Sequence, residues 1–184
     1  MARHLNAPLS SFITARIPIA PDANTDPTML FKMAMVALEA ITSVGGNDTG
    51  VLVNDIQDTV QLVPGESWCM ATVQSALRYV ELITGKISAI AAGGLCTAVF
   101  AQSVPNQVTT PQVGDIIVFQ HGAGPSGHTE IVTGLGDGTF VFAAGGNTTP
   151  GAGYTGAAGV FHKMRTTTAP IGDMTILGFL RPYL

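Results

Sequence analysis

At 184 residues the chain has the length of one domain, with 46% hydrophobic residues, only 11% charged ones and a formal charge of −4. So many apolar residues with so few charges exclude a disordered chain, and the absence of any Lys/Arg cluster argues against nucleic acid as a partner, because phosphate binding needs a basic stripe. The longest uncharged stretch, residues 87–114, is interrupted by Ser88, Gly93, Gly94, Gln102, Pro105, Asn106 and Gln107, so neither a spanning helix nor membrane insertion is expected.

Residues 1–26 are expected to be extended and irregular, with polar and apolar residues mixed and Pro8 and Pro18 among them. They do not have the charged and then apolar layout of a secretory signal, so the chain is expected to be made in the cytoplasm and to leave it by another route. Asp26 before Pro27 marks a helix start, and Leu30, Met33, Ala34, Val36, Leu38 and Ile41 give its apolar face to about Thr42, with Gly45-Gly46 as the stop. A shorter helix is expected over residues 51–60. The next runs from about Cys69 to Thr84, with Met70, Val73, Leu77 and Val80 spaced by three and four, and stops at Gly85. A further helical segment is expected over residues 91–102, although it contains two glycines.

From Val113 the period changes to that of strands. They are expected over residues 115–119, 128–133, 139–143, 160–164 and 174–180, with Gly136-Asp137-Gly138 as a hairpin turn. Helices first and a mostly antiparallel sheet of five to six strands afterwards is an α+β pattern. Residues 1–46 read as an N-terminal extension with its helix, and residues 47–184 as the main domain.

Three residues suggest chemistry. Cys69 opens a helix, where unpaired N–H groups and the helix dipole stabilise a thiolate and can hold an oxyanion. His128 opens a strand after the loop Gly122–Gly127, placed to act as a base. Asn147 follows Gly145-Gly146 on the next strand, where an amide can orient an imidazole. His121 and His162 lack such a context and read as surface residues. Cys96, flanked by Leu95, Ala98 and Val99, reads as a buried small hydrophobe, and two cysteines make no disulfide framework. Asp48, Asp55 and Asp58 match no calcium loop and no His/Cys spacing suits zinc, so neither metal nor cofactor is expected.

Together these segments resemble a known family. Glu66-Ser67-Trp68-Cys69-Met70-Ala71 resembles the nucleophile motif P-W-C-A-x-F of CHAP domains, the cysteine, histidine-dependent amidohydrolases/peptidases related to NlpC-type enzymes. Pro111–Phe119 resembles the family's P-x-x-G-D-I-V-V-F strand, and Gly127–Val132 its G-H-V-G-I-V strand. Gly145-Gly146-Asn147 and Leu177–Pro182 are similar to the G-G-N and L-G-F-x-R-P of one bacterial and phage branch. The resemblance runs from about residue 47 to the C-terminus.

It implies a papain-like CHAP fold, with N-terminal helices packed on the sheet. It also implies a Cys69–His128–Asn147 site that cleaves an amide of bacterial peptidoglycan, as an N-acetylmuramoyl-L-alanine amidase or as a stem-peptide or cross-bridge endopeptidase. Many members carry a Glu two residues before the Asn, and Gly145 stands there. Glu130, which shares a strand face with His128, is a possible substitute and otherwise an edge charge. Trp68, Glu66 and Glu130 are the candidates for lining the substrate groove; Trp68 also suits packing under the helix, and Glu66 capping it. A phage lysin or virion-associated hydrolase, with phage tail or other virion proteins as partners, is the expected setting. The alternatives are an amidase toxin delivered by a secretion system and a non-catalytic tail-tip protein on the same scaffold.

Overall fold

The computed structural model describes residues 3–44, 48–151 and 153–183. Among the described residues, five α-helices lead into one six-stranded antiparallel sheet, an α+β fold consistent with the papain-like CHAP arrangement. The helices are α1 (Ala7–Thr14), α2 (Pro27–Ala37), α3 (Val51–Asp58), α4 (Cys69–Thr84) and α5 (Cys96–Gln102). The strands are β1 (Gln107–Val108), β2 (Ile116–His121), β3 (Gly127–Leu135), β4 (Phe140–Thr148), β5 (Gly159–Thr166) and β6 (Met174–Leu180), in the order β1-β6-β2-β3-β4-β5.

Helix α4 forms over the residues its apolar spacing predicts and ends at Gly85, whose N–H returns to the Glu81 carbonyl. It lies against β3 and β4 on one face of the sheet. There Met70, Val73, Leu77 and Val80 meet Ile131 and Ala144 in the main core. Ile117, Phe119, Val132, Val141, Ala143 and Phe179 form a second cluster on the opposite face, as strand alternation requires. Two motifs apart in sequence close the structure together. The buried Asp115 accepts hydrogen bonds from Arg181 Nε and Nη2, each at 2.9 Å, and from the Gln112 N–H at 2.7 Å.

Several elements differ from expectation. Residues 7–14 are helical rather than irregular. Asn6 caps α1 by accepting from the Leu9 N–H at 3.1 Å, and Pro8 falls in the first turn, where its missing N–H leaves no bond unmade. Leu5, Leu9, Ile13 and Ile17 enter the same core as α4. Helix α2 stops at Ala37, followed by a 3₁₀ turn over Leu38–Ala40; the expected stop at Gly45-Gly46 and the boundary between residues 46 and 47 fall outside the described residues. Residues 91–95 are not helical, and α5 starts only after Gly93 and Gly94, which cost a helix too much backbone freedom. Strand β4 runs on past its expected end at residue 143 to Thr148, with a bulge between Gly145 and Thr148.

Candidate active site

Cys69 is the first residue of α4. The preceding Trp68 offers no side-chain cap, so the first-turn N–H groups keep the capacity to bind an anion. His128 enters from β3, and the Cys69 Sγ lies 4.0 Å from the carbonyl oxygen of Gly127, the residue just before it. Both are nearly covered, at 5% and 7% exposure, and the Phe119 ring stacks along the imidazole with centroids 6.4 Å apart.

Behind the histidine stands a carboxylate. Glu130 lies two residues along β3, fully buried, with Oε1 3.0 Å from His128 Nε2. Arg165, from β5, grips it from the other side, donating from Nε to Oε2 at 2.7 Å and from Nη2 to Oε1. Gly145 makes room for this arrangement: a Cβ there would come within 2.4 Å of Glu130 Cγ. On the other side of the strand a Cβ on Gly146 would strike Thr72 and Trp68, so the glycine pair lets β4 pass between Glu130 and α4.

The electrostatics follow from these contacts. Burial is the largest effect on Glu130 and favours its neutral form. Hydrogen bonds and charges from Arg165 and His128 outweigh it and bring its pKa down to about 2. Burial is likewise the largest effect on His128 and disfavours the imidazolium, but its bonds to Cys69 and Glu130 prevail and raise it to about 9. An ionised Glu130 can only accept, so Nε2 carries the proton of that bond and Nδ1 is the nitrogen left to the thiol. The Cys69 thiol is pushed up, first by its hydrogen bond to Cys96 and then by burial, with His128 acting in the opposite direction.

Cys69, His128 and Glu130 are thus brought together, with Arg165 added. Asn147 stands apart: it sits at a bulge in β4 with φ 54°, and among the described residues its side chain makes no hydrogen bond to His128, whose Nε2 is engaged by Glu130. Trp68 does not line a groove. It is fully buried, with Nε1 donating to Asp48 Oδ1 at 3.3 Å, and has no surface left for a ligand. Glu66 is exposed and closes a turn, its Oε2 accepting from the Val63 N–H at 2.7 Å. Asp55 is engaged by Asn6, and among the described residues no group of three or more His, Cys, Asp or Glu is arranged to hold a metal. His121 pairs with Asp173, and His162 with Glu39 and Thr133.

Arg165 was not singled out by sequence, and Cys96, buried as expected, was read there only as a small hydrophobe. The one available signal for Arg165 was its place inside an otherwise regular strand, where a buried arginine demands a carboxylate. Comparison with known proteins gives one family match: the CHAP domain, over residues 60–147. The matched segment includes Cys69, His128, Glu130 and Asn147 and stops short of Arg165. Neither the curated proteins nor the solved structures yielded a match.

Proposed function

From the premise that the chain carries a CHAP domain, whose members are typically cysteine- and histidine-dependent amidohydrolases acting on peptidoglycan, we propose that it cleaves an amide bond of the bacterial wall with Cys69 as nucleophile. The observation that carries this reading is that Cys69, the first residue of a sixteen-residue helix, lies against the Gly127–His128 segment, whose imidazole is held by Glu130 and through it by Arg165.

In the reaction we propose, His128 takes the Cys69 proton and the thiolate attacks the amide carbonyl. First-turn N–H groups of α4 stabilise the oxyanion. The imidazolium then protonates the leaving amine, and water releases the acyl group. Glu130 fixes the tautomer and orientation of the imidazole, the role the sequence had suggested for Asn147. The bond is that of an N-acetylmuramoyl-L-alanine amidase or of a peptide endopeptidase. The setting we favour is a phage lysin or a virion-borne hydrolase, supported by the similarity of Gly145–Asn147 and Leu177–Pro182 to the bacterial and phage branch.

Release of soluble fragments from purified peptidoglycan tests the proposal. The wild type should release them, with masses that name the bond, and Cys69→Ala should fall about 10⁴-fold or to background while keeping its melting temperature. Release by Cys69→Ala at the wild-type rate would remove Cys69 from the chemistry.

A further inference from the structure

The chain has two cysteines, and the fold puts both sulfurs against one residue. Cys69 opens α4 and Cys96 opens α5, both as free thiols. Both sulfurs lie against Gly127, the residue before His128. Cys69 Sγ is 4.0 Å from its carbonyl oxygen, and a Cβ on Gly127 would lie 2.9 Å from Cys96 Sγ. Only a glycine at 127 lets α5 press its cysteine so close to the strand, since the same Cβ would also strike the Phe119 carbonyl at 2.1 Å. Cys96 Sγ in turn lies 4.0 Å from the carbonyl oxygen of Phe119, the residue paired with His128 across the strands. Nothing in amide hydrolysis uses the second thiol.

We infer that Cys69 and Cys96 are a reversible oxidation site, closing into a disulfide under peroxide and thereby capping the nucleophile. The capping rests on the reading of Cys69 given above; the pairing of the thiols does not. In the first step the Cys96 thiolate attacks one oxygen of hydrogen peroxide. The O–O bond breaks, Cys96 becomes a sulfenic acid, and the departing hydroxide takes up the proton lost by the thiol to become water. In the second, Cys69 gives its proton to His128 and its sulfur attacks Cys96. The S–O bond breaks, and the leaving hydroxide recovers that proton as a second water. Two thiols and one peroxide yield one disulfide and two waters. Cys69 holds the Cys96 thiol below its ordinary range, which favours the thiolate of the first step. Two thiols against one glycine start from the short separation that a disulfide's geometry requires. A dithiol reductant reverses the bond by exchange.

The experiment treats the whole chain with hydrogen peroxide and follows two readouts. Peptide mapping without reduction should find the peptides of Cys69 and Cys96 linked, in a protein lighter by two hydrogens. Peptidoglycan release should fall about tenfold or more and return with dithiothreitol, as a disulfide requires and higher oxidation states do not allow. Cys96→Ala and Cys96→Ser, each compared with its own untreated sample, should recover a smaller share of the activity they lose, because without the disulfide Cys69 oxidises on past the sulfenic acid to forms that dithiothreitol does not reduce. The absence of linked peptides in oxidised wild type overturns the inference, as does equal recovery in either variant. Should the wild type prove unable to hydrolyse peptidoglycan at all, peptide mapping still decides the pairing, so the two failures are distinguishable.

Discussion

Arg165–Glu130, within the sheet, and Arg3–Glu81, on α4, are both buried arginine–glutamate pairs, but their carboxylates have different second partners. Glu81 belongs to α4. It accepts from Arg3 Nη1 at 2.6 Å, from Arg78, and from the Ser88 N–H, while Arg3 also reaches Gln74 and the Ile90 carbonyl. All of those contacts are structural, pinning the N-terminal segment and the 86–91 connection to the helix. Glu130 spends its remaining capacity on His128, which can gain or lose a proton near neutrality. The same ion pair therefore acts as an anchor in one place and sets the charge and tautomer of an imidazole in the other. A buried pair is weak grounds for claiming stability; its neighbours say what it does.

The largest expected effect separates the two carboxylates. Glu130→Gln and Glu81→Gln each leave a buried arginine without its counter-charge, so each should cost roughly 3–5 kcal/mol in a denaturant titration. Only Glu130→Gln should also lower peptidoglycan hydrolysis at its optimum, by about 10²–10⁴-fold. With His128 raised to about 9, the resting site carries one proton more than the reactive one. Activity should therefore rise from neutral pH toward 9. Glu130→Gln should move that rise to lower pH, because the charge holding the imidazolium is gone, whereas Glu81→Gln should leave it in place. A shift of equal size in both variants would erase the distinction.

Stability against pH sharpens the same contrast. His128 has a folded value above its ordinary 6.5, so its contribution is complete below 6.5 and lost as pH climbs through about 9. Glu130 has a folded value below its ordinary 4.5, so its contribution is complete above 4.5 and lost as pH falls through about 2. Thermal melts of the wild type should accordingly decline on both flanks. A His128→Gln variant should lack the loss between pH 6.5 and 9 that comes from this residue.

Smaller effects are expected from the arginines when charge is retained. Arg165→Lys and Arg3→Lys each keep the cation but lose the planar fork, at about 1–3 kcal/mol. Arg165→Lys should reduce turnover about tenfold and shift the pH rise, because Glu130 is no longer held square to the imidazole. Arg3→Lys should change only the melting temperature. Arg165 would become a second anchor if its variant behaved in the same way as that of Arg3.

How much of this was legible in the sequence follows from how local each signal is. Helix α4 was readable to its ends because one segment holds its apolar spacing and its terminating glycine. Strands β2 to β6 were readable by alternation and turn residues, whereas the two-residue β1 was too short to show any; Cys69 and His128 were readable by position at element starts together with the surrounding motifs. Glu130 was half legible: sharing a face with His128 two residues away is a local fact, but what else surrounds that face is not. Arg165, Arg3 and Cys96 act through contacts 35, 78 and 31 residues away along the chain. No periodicity reports such pairings. Helix α1 was missed for the opposite reason, a local signal taken at face value: Pro8 reads as a breaker until Asn6 shows it to be in the first turn.

Asn147 gives the smallest effect and the sharpest test of the comparison. Its φ of 54° is left-handed, a conformation that asparagine tolerates, glycine adopts freely and alanine resists by about 1–2 kcal/mol. Asn147→Gly should therefore be as stable as the wild type or up to about 1 kcal/mol more so, and hydrolyse peptidoglycan within about twofold. Asn147→Ala should lose about 1 kcal/mol for backbone reasons alone, with the pH rise unmoved. If instead Asn147→Gly lost more than about tenfold of its rate at an unchanged melting temperature, the amide would be orienting the imidazole during the reaction. Glu130 would then be left doing for β3 and β5 what Glu81 does for α4, and the two ion pairs would be alike after all.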